Sequence, residues 1–146
     1  MKINARSEAG FSLLSVLIAV MIIGIMAAIA VPKFNSAIAT ANTAKIQSDL
    51  TNIDSAIAMY KMDTGENPKE GTLKSLSGYL TDVDNIKPPK GDCYLKDGTT
   101  ITLTAADEYQ LKVEDGEYRA TCKDKVASAF GKPSGSSSGI VDNGNG

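Results

Sequence analysis

Hydrophobic and polar positions fall into three regimes along the chain. From Phe11 to Val31 there is no charged residue, and the run FSLLSVLIAVMIIGIMAAIAV is apolar all round. As a helix it extends roughly 30 Å, the thickness of a bilayer's hydrocarbon core, so it is long enough to span a membrane. Further on the pattern narrows to a stripe. Ile46, Leu50, Ile53, Ile57 and Tyr60 recur at spacings of four, three, four and three, with Lys45, Asp49, Asp54 and Lys61 on the other face. That is the period of a helix with one side packed on a core. Between the two lies Asn35 to Ala44, rich in alanine, threonine and asparagine, which reads as a solvated or subunit-packing neck. Gly24 weakens a helix by about 1 kcal/mol relative to alanine, and Pro32 removes a backbone donor, so residues 24–32 mark a stretch able to bend or melt. The helix is nevertheless expected to continue past Pro32 and to end at Asp63-Thr64-Gly65, with Pro68 beyond.

The third regime alternates. Cys93–Lys96 and Thr99–Thr104 flank Asp97-Gly98, and Tyr109–Val113 and Glu117–Cys122 flank Asp115-Gly116. Asp-Gly between alternating runs signals a tight hairpin. Residues 63–92 connect helix to strands, with Leu73, Leu76 and Leu80 suggesting a short helix before Pro88 and Pro89. The expected fold is α+β: a long N-terminal helix, half transmembrane and half amphipathic, packed on an antiparallel sheet of about four strands. The expected organisation is a leader at 1–10, a hydrophobic helix at 11–34 and a globular head at 35–130. Within the head lie a helix at 35–62, a loop at 63–92 and a sheet at 93–123. A Gly/Ser-rich tail follows at 131–146, with a composition that cannot support a core.

The apolar run follows a leader carrying Lys2 and Arg6, which places the leader on the cytoplasmic side and the bulk of the chain outside. Three readings compete. The run is a plain anchor, or a secretory signal cut after Ala28-Ile29-Ala30, or a signal cut on its leader side and retained. The third is carried by a resemblance. Gly10-Phe11-Ser12-Leu13-Leu14-Ser15-Val16-Leu17-Ile18, ending in Ala27-Ala28-Ile29-Ala30-Val31-Pro32, resembles the N-terminal signature of type IV pilins and type II secretion pseudopilins.

The resemblance covers residues 10–34 as a motif and the remainder only in general layout. It implies cleavage between Gly10 and Phe11 by a prepilin peptidase, with N-methylation of Phe11. It also implies assembly by an ATPase and a platform protein of the inner membrane into a helical homo-oligomer, whose core is built by the hydrophobic helices. The assembly residues it implies are Phe11, Gly24, Pro32 and position 15. There the family usually has a glutamate that pairs with a neighbour's N-terminus, and this chain has Ser15. A serine cannot neutralise that amine. It fits either a tolerated variant in a major subunit or a minor or tip subunit with no partner for a carboxylate.

The leading functional expectation is a pilin of a type IV pilus-like filament, held in the inner membrane and then extracellular. The alternatives are a pseudopilin or minor subunit of a secretion or competence system, forming a periplasmic pseudopilus, and a monomeric membrane-anchored binding domain.

Composition adds a few exclusions. The chain has 146 residues, a formal net charge of −2 and no histidine. Loss of the leader removes Lys2, Arg6 and Glu8 and makes the charge more negative by one, which does not favour direct nucleic-acid binding. No nucleophile signature, carboxylate pair or phosphate loop is present, so no enzyme and no cofactor are expected. Asp82 and Asp84 on a loop read as solvated carboxylates sooner than calcium ligands, and no metal is expected. Cys93 and Cys122 stand in the first and last strands. In an exported domain they are expected to form a disulfide that contributes about 3–4 kcal/mol, similar to the one that staples the C-terminal region of many pilins. Two free buried thiols are the alternative.

Overall fold

The computed structural model describes residues 13–133. It falls into two units, one reaching to Ser36 and one beginning at Ala37. A single helix, α1 (Leu13–Thr64), runs for 52 residues with Pro32 inside it. The continuation past Pro32 is therefore found, and the 24–32 stretch is helical. Gly65 ends the helix where the Asp-Thr-Gly signal placed it. It takes the left-handed conformation (φ 71°), and its amide donates to the Lys61 carbonyl at 3.0 Å.

The head carries four strands, β1 (Gly91–Tyr94), β2 (Thr100–Leu103), β3 (Tyr109–Glu114) and β4 (Glu117–Cys122). All four were legible, but they do not make one sheet. They form two separate antiparallel pairs, β1–β2 and β3–β4. The reason lies at the strand edges, which are already occupied. At Tyr94 the outward amide donates to the Thr43 hydroxyl of α1 at 2.8 Å, and the outward carbonyl accepts from Gly131 at 3.0 Å. On β4, the Ala120 amide donates to Asp54 of α1 at 2.7 Å. On β3, the Leu111 carbonyl accepts from Gly71 at 2.9 Å. Each of these bonds uses an edge group that a strand of the other hairpin would otherwise need.

The two Asp-Gly turns also differ. Between β3 and β4 both Asp115 (φ 50°) and Gly116 (φ 81°) are left-handed. That is the arrangement a two-residue hairpin loop needs to match the strand twist. Between β1 and β2 only Gly98 is left-handed. That loop is longer, and Asp97 accepts from both the amide and the hydroxyl of Thr99, at 2.8 and 2.6 Å. Hydrogen bonding pulls the Asp97 carboxyl below its usual range, led by the Thr99 hydroxyl. In the connection, two short 3₁₀ turns, Lys74–Leu76 and Val83–Asn85, replace the expected helix through Leu80.

The core of the head is the face of α1 that the period named. Ile46, Leu50 and Ile53 are fully buried, with Ala56 and Ile57 nearly so, against Leu76, Leu103, Leu111 and Ala120. Tyr60, the last residue of the stripe, is half-buried and meets Tyr79 edge-on at 5.7 Å. Phe130 is also fully buried and is the largest such side chain. Its backbone bridges Leu95, and its carbonyl accepts from Gln47 at 2.6 Å.

Candidate assembly surface

The N-terminal part of α1 has the composition of an interior and the exposure of a surface. Leu13 is 86% exposed, Ile23 65% and Val31 57%, and every large apolar residue between them is exposed too. No residue from 13 to 29 is buried. A helix apolar on all sides is stable when something apolar surrounds it, whether lipid or other helices. Ser15 and Gly24 lie on this helix, both exposed. They are nine positions apart, about half a revolution around the axis, so they mark opposite sides and not one contact patch. Around Gly24 nothing lies within 4 Å of where a side chain would begin, so the space it leaves is not filled from within this chain. Pro32 follows, also exposed. Gly10 and Phe11, the expected processing site, lie outside the described residues.

On the head, the helix residues expected to face solvent do structural work. Asp49 accepts from Lys45 and from the Tyr109 hydroxyl, both at 2.6 Å. Burial, reinforced by that bond, pushes the Tyr109 hydroxyl well above its ordinary range. Asp54 holds Ala120 and lies 3.6 Å from Arg119. Asn42 donates to the carbonyls of Lys90 and Asp92 at 3.1 and 3.2 Å. Asp49 and Asp54 are thus pins between helix and sheets, and only Lys45 and Lys61 remain as the solvated face. Lys45 and Asp49 pair at the i, i+4 spacing of one helix face, while the strand partners of Asp49 and Asp54 lie 60 and 66 residues away.

The disulfide expected between Cys93 and Cys122 is not formed in this structure; both are free thiols. Each is fully buried in the same core cluster, and Cys122 stands opposite Tyr109 in the β3–β4 ladder. Burial pushes the Cys93 thiol up to about 11 and the Cys122 thiol up to about 12. Asp82 precedes the second 3₁₀ turn, and its carboxylate accepts from the Asn85 side-chain amide at 2.7 Å. Among the described residues no group of His, Cys, Asp and Glu is arranged to hold a metal.

Comparison with known proteins shows the family. Residues 5–31 match the prokaryotic N-terminal methylation motif. The type II secretion system core protein G of Klebsiella michiganensis is 32% identical over 116 residues, covering 77% of this chain and 78% of that protein. The Escherichia coli protein of the same name is 31% identical over 116 residues, 77% of each chain. That of Dickeya chrysanthemi is 30% identical over 109 residues, 73% of this chain and 69% of its own. This chain belongs to the pilin and pseudopilin family. The likeness extends far past the methylation motif into the head, so this pilin-family chain shares more with these relatives than a signal for processing. No solved structure matches it closely. In a family member, an N-terminal helix left bare by its own chain is the part expected to be covered by membrane or by sister subunits.

Proposed function

We propose that this chain is a pseudopilin. In this reading its leader is removed between Gly10 and Phe11, and the mature chain is anchored in the inner membrane by its apolar helix. It then polymerises through that helix into a short periplasmic filament of a type II secretion apparatus. The observation that carries this is the likeness to core protein G along three quarters of the chain. The leading expectation from the sequence, a surface pilus, finds no support in those relatives, and the secretion alternative does. The bare helix agrees with either filament. Leaving the apolar side chains between Leu13 and Val31 in water would forfeit about 1.5–3 kcal/mol for each large one, so this surface requires a covering.

The test is mass spectrometry of the N-terminus, on membranes and on material sheared from cells separately. N-methylated Phe11 found with the cell envelope is the expected result. Abundant methylated protein in the sheared fraction would return the reading to a surface pilus. A chain beginning at Val31 would overturn the filament altogether.

A further inference from the structure

Between Phe11 and Ala44 the chain carries a single charge, Lys33. It stands on α1 immediately after the apolar run and Pro32, and it is exposed. Beside it Phe34 is 67% exposed. The uncharged run that ends just before Pro32 and Lys33, Phe11 to Val31, is 21 residues long. At 1.5 Å per residue that is about 30 Å, one hydrocarbon thickness. The polar residues that follow, Asn35, Ser36, Thr40, Asn42 and Thr43, are all neutral. Neutral groups resist entering a bilayer edge far less than an ammonium does, so they define the outer limit of the span poorly. A lysine stem lies along apolar surface while its ammonium reaches for headgroup oxygens, and an aromatic ring beside it favours the same interfacial layer.

We propose that Lys33 and Phe34 form a lipid-headgroup site: in the anchored subunit the Lys33 ammonium binds the phosphates at the end of the span away from the leader and fixes the depth of α1. The inference rests on the membrane-anchored reading above. Because no other side chain from Phe11 to Ala44 is charged, this contact sets the register at the end of the span away from the leader. It holds Ile23, ten helical steps and so about 15 Å before Lys33, at the centre of the bilayer.

The chain contains no tryptophan, so depth is readable from a single introduced one. Ile23→Trp and Ile29→Trp replace exposed residues and disturb no packing within the chain. Each full-length variant is reconstituted into phosphatidylethanolamine–phosphatidylglycerol vesicles, and its depth is measured by quenching with lipids brominated at known positions. With Lys33 present, position 23 is expected at the bilayer centre and position 29 about 9 Å from it. In the Lys33→Leu background both are expected to slide by roughly one helical turn, about 5 Å, with position 29 moving toward the centre. Lys33→Arg restores both. If position 23 is not centred with Lys33 in place, the membrane-spanning reading itself fails. If position 23 is centred and Lys33→Leu moves neither position, the headgroup site is overturned while the span stands. Unchanged depth together with loss of assembled filaments assigns Lys33 to a neighbouring subunit instead, and equally overturns the proposal.

Discussion

Asp54→Ala removes the acceptor for the Ala120 amide, a fully buried donor on the outer edge of β4. Two effects oppose each other. A hydrogen bond to a charged acceptor is worth about 1.5–3 kcal/mol, and an orphaned buried amide costs about 1–3 kcal/mol. Against this, the variant no longer has to desolvate a carboxylate. Burial raises the Asp54 carboxyl above its ordinary 3.8, with the Ala120 amide and Arg119 pulling it back. The desolvation is incomplete, because the Asp54 side chain keeps 20% of its exposure. The lost bond therefore wins, and we expect a net destabilisation of about 1–2 kcal/mol. For a head of this size each kcal/mol lowers the Tm by roughly 4–8 °C.

Asp54→Asn keeps an oxygen acceptor and drops the charge, so it is expected within about 0.5 kcal/mol of wild type. The pH dependence has a defined sign. A raised carboxyl disfavours the charged form in the folded state, so its cost is present above the folded pKa and gone below the unfolded value of 3.8. Any advantage of Asp54→Asn from removing the charge is thus present at neutral pH and closes as pH falls toward 3.8. Asp97, Asp107 and Asp124 are lowered by their hydrogen bonds. Their contributions have the opposite sign, present above 3.8 and lost as pH falls through their lower folded values. Thermal unfolding of the full chain in detergent, followed by the near-ultraviolet signal of its tyrosines, measures all of this. An Asp54→Ala protein as stable as wild type, or an Asp54→Asn protein as unstable as Asp54→Ala, would refute the pin.

Three other outcomes are expected. Phe130→Ala empties the largest fully buried site of the head and should cost about 3–5 kcal/mol in the same melt, where a loss below about 1 kcal/mol would show that the last segment is not part of the core. With their thiols pushed up to about 11 and about 12, Cys93 and Cys122 should resist iodoacetamide in the native chain and take up two alkyl groups once denatured without reductant. Uptake of none after denaturation would show the disulfide that the sequence suggested. Ser15→Glu should increase the amount or length of filament recovered from cells, by giving a neighbour's N-terminal ammonium a carboxylate within an apolar core, and unchanged filaments would mean that position 15 is not the limiting contact.

Much of this fold was legible because its signals are local. The uncharged run, the four-three spacing from Ile46 to Tyr60 and the Asp-Gly pairs each act within a few residues of themselves. They gave the helix, its end at Gly65 and four strands close to their observed bounds. The methylation motif matched by residues 5–31 is local too, since it is a continuous stretch of sequence. What the sequence did not decide depends on groups far apart along it. Asn42 meets the Asp92 carbonyl 50 residues away, Asp54 meets Ala120 across 66, and Gln47 meets Phe130 across 83. Those bonds turn acidic residues of an apparently solvated face into pins, and they bring Phe130, at the border of a glycine- and serine-rich tail, into the core. They also occupy the strand edges, so that four strands form two hairpins and not one sheet. Periodicity states which face of an element is apolar. Which backbone donor a polar side chain satisfies is settled only when the chain closes around it.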